Sequence, residues 1–84
     1  MNKRAEKGLR KSLPRHGEQM LELVSALKVD PIPYRAYDVS RLQGREDTYR
    51  IRLGGIRVVY HVDWGNSVVD IEYVGPRGRV YKGI

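Results

Sequence analysis

Three arginines open the question of chemistry. Arg50 and Arg52 flank Ile51 in Tyr49-Arg50-Ile51-Arg52-Leu53, and Arg57 follows the Gly54-Gly55 pair in Ile56-Arg57-Val58-Val59-Tyr60. Side chains alternate faces along a β-strand, so Tyr49, Ile51 and Leu53 fall on one side while Arg50 and Arg52 fall on the other. The glycine pair suits a tight hairpin because both central residues can take positive φ. The returning strand then places Ile56, Val58, Tyr60 and Val62 on the apolar side and Arg57 opposite. Grouped guanidiniums repel one another unless an anion sits between them, and arginine's planar fork matches phosphate oxygens. The predicted chemistry is binding of a phosphodiester on one exposed sheet face. His61 shares strand parity with Arg57 and Val59 and is expected on that face. Asp70 and Glu72 share a face of the following strand, where pairing with neighbouring arginines and acid–base work are equally open readings.

These side chains need a scaffold, and the chain is short. Eighty-four residues make one domain, 1–84, whose core supplies only about 3–5 kcal/mol, so a partner is expected to add stability. The net charge of +6 favours nucleic acid or an acidic protein as that partner. Residues 1–40 and 41–84 each carry eight basic and five acidic residues, so any basic patch must be assembled by folding and not by a tail. With no cysteine, disulfides and thiolate metal sites are excluded; a cytoplasmic setting is compatible. With two histidines and no cysteine, a metal centre is not expected. No apolar run approaches the ~20 residues that span a bilayer, no signal peptide is visible, and no membrane partner is expected.

Two helices are predicted first. Ala5, Leu9 and Leu13 recur every four residues after Asn2, a candidate N-cap, until Pro14 stops the pattern. After a Pro14-Arg15-His16-Gly17 link, Met20, Leu23, Val24 and Leu27 mark the apolar stripe of a second helix that ends before Asp30-Pro31. His16, at its start, reads as structural. Pro31-Ile32-Pro33 forbids regular structure, and residues 34–46 read as an ordered loop or a short irregular strand. Strands follow at roughly 47–53, 56–63 and 67–74, with Asp63-Trp64-Gly65-Asn66 as the second hairpin turn. Gly44, Gly54, Gly55, Gly65 and Gly75 read as turn formers, and Tyr49, Tyr60 and Tyr73 as packing in the core or at its margin. The fold class is α+β, an N-terminal αα-hairpin packed on one face of an antiparallel β-meander.

In this order the residues resemble a known family. The helix hairpin, the proline loop, Leu42-x-Gly44-x-x-Asp47-x-Tyr49-Arg50-Ile51-Arg52, Gly55-x-Arg57-Val58-Val59-Tyr60 and Val74-Gly75-x-Arg77-x-x-Val80-Tyr81 resemble the RelE/ParE superfamily of toxins from type II toxin–antitoxin systems, over nearly the whole chain. The RelE branch is the nearer likeness. It implies a ribosome-dependent endonuclease that cleaves messenger RNA in the ribosomal A site. It also implies a cognate acidic, RelB-like antitoxin that holds the toxin inactive, with operator DNA contacted through that antitoxin. Family members usually open with a β-strand, whereas helix-like sequence follows Met1 directly. Either that strand is missing by truncation or the sheet lacks an edge strand, which would leave an exposed strand available for pairing with another chain.

The resemblance also implies roles. Arg50 and Arg52 match basic positions contacting the messenger backbone, Arg57 a phosphate-binding arginine, Arg77 the arginine that stabilises the transition state, and Tyr81 a C-terminal tyrosine that transfers a proton or orients a base. The implied reaction is attack of the ribose 2′-hydroxyl on the adjacent phosphorus, leaving a cyclic phosphate and a 5′-hydroxyl, with no metal or other cofactor. Some RelE toxins have lysines where Arg50 and Arg52 stand, and arginine is a very poor general base. The base is therefore open among Tyr81, His61 and Glu46. Two further readings compete: a ParE-like inhibitor of DNA gyrase that acts without catalysis, and a non-catalytic module that binds only antitoxin and operator DNA.

Overall fold

A computed structural model of the protein describes residues 3–76, without the side chains of residues 3–5 and 12–15. A helical run, α1 (Lys3–Val29), precedes four strands, β1 (Asp38–Arg41), β2 (Thr48–Leu53), β3 (Ile56–Asp63) and β4 (Val68–Pro76). The strands form one antiparallel sheet in chain order. The expected α+β architecture is present, and the segment left open between loop and irregular strand contains the four-residue strand β1. Among the described residues no helix is long and apolar enough to cross a membrane. The cap expected at Asn2 lies outside the described residues.

The helical hairpin differs from expectation in its joint. Its two segments are continuous through Pro14, and only His16 leaves helical geometry, with φ −129° and ψ 17°. The axis thus breaks at a single residue, without the expected four-residue link. The His16 ring donates from Nδ1 to Gln19 Oε1 at 2.8 Å and lies beside the Gly54-Gly55 turn, which fits the structural reading of this histidine.

Met20, Leu23 and Leu27 bury the expected stripe of α1 against Tyr49, Ile51, Leu53, Ile56, Val58, Tyr60 and Val62. Helix and sheet approach very closely at Gly8, where an added Cβ would collide with the Val74 carbonyl of β4. A glycine inside a helix normally weakens it; here only hydrogen fits. Tyr60, fully buried, donates its hydroxyl to the Pro31 carbonyl at 2.7 Å and so ties the proline loop to β3. Its ring packs on Tyr49 with centroids 5.7 Å apart.

Three turns set the register. At the β2–β3 hairpin Gly54 uses that freedom, with φ +59°; a first-position glycine is what a type II′ turn demands. The β1–β2 loop needs left-handed backbone at Gly44 (φ 80°) and Asp47 (φ 51°), residue types that tolerate it. That requirement explains the Leu42-x-Gly44-x-x-Asp47 spacing. After β3, Asp63 accepts hydrogen bonds from the backbone and side-chain nitrogens of Asn66, at 3.2 and 2.8 Å, and the turn extends one residue beyond expectation to Ser67, φ 54°.

Candidate nucleic-acid interface

The face of the sheet opposite α1 is organised in rungs, because residues directly opposed in antiparallel strands point to the same side. One rung reads Asp38, Arg52, Arg57, Gly75 across β1 to β4; the next reads Ser40, Arg50, Val59, Tyr73. A third holds Thr48, His61 and Asp70. Arg50, Arg52, Arg57 and His61 therefore share one face, as the alternation predicted. Arg52 is exposed, while Arg50, Arg57 and His61 are half-buried. Opposed Cβ atoms lie about 5 Å apart and successive rungs about 7 Å, so the three arginines can close on one phosphodiester.

Such a pairing is not a stability device. Two like charges at this spacing cost on the order of 1 kcal/mol where water reaches them. Asp38, on the other side of Arg52, offsets part of the repulsion and holds the face in a mixed but cationic state. The Nε of Arg50 is buried without a hydrogen-bond partner among the described residues, although a buried donor is normally paired. The sequence reading had not singled out Asp38, although its place before Val39-Ser40-Arg41 marks it as a strand start.

The face is also less open than alternation alone implies. Val59 is fully buried on this side, under Leu42 of the β1–β2 loop and the ring of Tyr73. Arg45 of the same loop reaches across to β4 and clasps Glu72 in a bidentate pair, Nη1 to Oε1 at 2.6 Å and Nη2 to Oε2 at 2.9 Å. For Glu72 the pairing alternative is therefore the one realised. Glu46 is exposed, and its backbone carbonyl accepts a hydrogen bond from the buried Thr48 hydroxyl at 2.9 Å. Trp64, in the β3–β4 turn, donates to the Asp47 carboxylate at 3.1 Å and clips that turn to the loop.

A bulge in β4 completes the arrangement. Val59 opposes Tyr73 and Tyr60 opposes Ile71, which leaves Glu72 as an extra residue. Strict alternation would have put Tyr73 on the α1 side with Tyr49 and Tyr60. The inserted residue turns it to the arginine side, where it joins the small outer cluster and not the main core. A signal was present: the apolar step from Ile71 to Val74 spans three residues where period 2 allows only two or four. Gly75, expected in a turn, lies within β4, and a Cβ there would overlap the Tyr73 hydroxyl and ring. It is glycine because the tyrosine ring occupies its outer side. Arg77 and Tyr81 lie outside the described residues; the chain reaches them from Pro76, opposite Ile56 at the end of β4.

Comparison with known proteins places the chain among its relatives. Residues 2–81 match the family described as ParE toxin of type II toxin-antitoxin system, parDE. The candidate toxin RelE1 of Methanocaldococcus jannaschii is 35% identical over 82 residues, covering 98% of this chain and 91% of the relative. Among solved structures, the archaeal RelE-RelB complex from Pyrococcus horikoshii OT3 contains a chain with a TM-score of 0.78 and 40% identity, covering 94% of this chain and 92% of that one.

Proposed function

The chain belongs to the RelE/ParE superfamily of type II toxin–antitoxin toxins and is RelE-like, and from that premise we propose that it is a ribosome-dependent messenger RNA endonuclease that inhibits translation. The observation carrying this reading is the adjacency of Arg52 and Arg57 on one rung with Arg50 on the next. In this reading the arginines grip the messenger backbone, with His61 at the edge of the same face. Arg77 stabilises charge developing on the phosphorane, and Tyr81 moves a proton or orients a base. The 2′-hydroxyl attacks phosphorus, the bond to the 5′-oxygen breaks, and a cyclic phosphate and a 5′-hydroxyl result. The ribosome supplies the alignment of the 2′-hydroxyl, phosphorus and leaving oxygen that this attack requires. Catalysis needs cations aimed at the phosphorane and proton transfer, and no metal.

We further propose a cognate acidic, RelB-like antitoxin as its partner, since the similar Pyrococcus protein was solved as a RelE-RelB complex. Operator DNA would be reached through that antitoxin, and a cytoplasmic location follows from a ribosomal target. Primer extension on a translated message after induced expression tests the enzymatic reading: cuts are expected only when ribosomes are present. The family match carries the ParE name, and this favours one second reading, inhibition of DNA gyrase through a protein interface. Intact transcripts with accumulating gyrase–DNA cleavage complexes would establish that reading instead.

A further inference from the structure

We propose that Tyr73 is a substrate-contacting residue of this face, its hydroxyl donating a hydrogen bond to a phosphate oxygen of the RNA held by Arg52 and Arg57. The inference rests on the ribonuclease reading and extends it by a residue that neither the arginine motif nor its spacing marks. Three independent features put the phenol there. The extra residue at Glu72 reverses strand parity, so Tyr73 faces the arginines and not the core. Leu42 and Val59 back the ring from below, both buried, which fixes its direction. Gly75 leaves the space above its own backbone empty, and the hydroxyl and ring edge of Tyr73 fill that space. Gly75 is the cross-strand partner of Arg57, so the phenol oxygen ends on the rung that carries Arg57 and Arg52.

The chemistry suits the position. A phenol both donates and accepts, so it can take an N–H from a guanidinium while giving its own proton to a phosphate oxygen. A donor fixed by packing is already oriented when the ligand arrives, unlike a long arginine side chain that must first be ordered. Bulges are common beside functional sites because they re-aim one side chain without disturbing the rest of the ladder. The bidentate Arg45–Glu72 pair then locks the bulged residue and keeps Tyr73 in register.

The test uses the purified toxin and a 2′-O-methyl RNA hexanucleotide, which cannot undergo attack by its own 2′-oxygen. Tyr73→Phe keeps the ring on Leu42 and Val59 and removes only the hydroxyl. Its affinity for the oligonucleotide, measured where both proteins are folded by circular dichroism, should fall about 10-fold, as expected for one lost hydrogen bond to a charged group. Gly75→Ala, which pushes the ring off the rung, should weaken binding similarly in the wild-type background and have little effect beside Tyr73→Ala. Equal affinity of wild type and Tyr73→Phe, or no measurable binding by wild type, overturns the inference. Ribosome-programmed cleavage is scored separately. If both proteins cut equally well, the ribonuclease reading survives without this hydroxyl. If wild type never cuts but Tyr73→Phe binds more weakly, the phosphate contact stands and the ribonuclease reading falls.

Discussion

Tyr60 shows how one buried group couples fold to pH. Burial holds its phenol un-ionised well above the usual tyrosine range, and its hydroxyl donates to Pro31. The folded-state pKa is raised, so the associated stability is present in full below about pH 10, the unfolded value, and is lost as pH climbs through the folded one. Tyr60→Phe should cost about 1 kcal/mol at neutral pH and flatten the alkaline limb of a urea-midpoint profile; an unchanged limb would assign alkaline unfolding to other groups. Asp63 behaves in the opposite sense. Hydrogen bonds from the side chain and then the backbone of Asn66 hold its carboxyl below the ordinary value, so its contribution is present above about pH 4 and is lost as pH falls through the depressed value. Asn66→Ala should move the Asp63 titration upward, read by NMR of its carboxyl carbon.

At the scale of elements, two contacts decide the geometry. Gly8→Ala would improve helix propensity by up to about 1 kcal/mol, but the new methyl meets the Val74 carbonyl, a backbone group that cannot swing away. Overpacking of this kind costs about 1–3 kcal/mol and should prevail, lowering the melting temperature by about 4–8 °C per net kcal/mol. A variant more stable than wild type would show that α1 can slide along β4. Arg45→Lys replaces a two-pronged clasp on Glu72 by a point charge, and the β1–β2 loop should loosen at a cost of about 1 kcal/mol. Exchange of the Leu42 amide, which donates to the Thr48 carbonyl at 2.9 Å, reports the opening. These two contacts also mark how far the sequence could be read. Period-2 alternation correctly separated Ile51 and Val58 from Arg50, Arg52 and Arg57, because each side chain's face follows from local geometry. The burial of Val59, the Arg45 clasp and the reversal at Tyr73 escaped it. Each depends on a loop folding back or on one inserted residue, which alternation within a single strand does not encode.

For the whole molecule, the balance of charge and core size governs behaviour. A +6 chain of 84 residues places its main apolar core on one side of a single sheet, and the other side carries Arg50, Arg52 and Arg57 beside the small Leu42–Val59–Tyr73 cluster. Burial at this size gives only a few kcal/mol of stability, so any partner that binds the folded state and not the unfolded one shifts the balance substantially. An acidic antitoxin would add apolar contact area and remove the repulsion among Arg50, Arg52 and Arg57 in a single step. Two measurable consequences follow. The complex should melt well above the free toxin, since binding at 100 times Kd adds about 2.7 kcal/mol. Association should slow steeply as salt rises, because steering acts between opposite net charges screened over about 10 Å at 0.1 M. Replacing the three arginines with glutamine should flatten that salt dependence while leaving the apolar contacts available. Calorimetry and stopped-flow association together decide the matter: equal melting temperatures with a salt-independent rate would mean that neither the charge nor the marginal core of this domain drives capture of its partner.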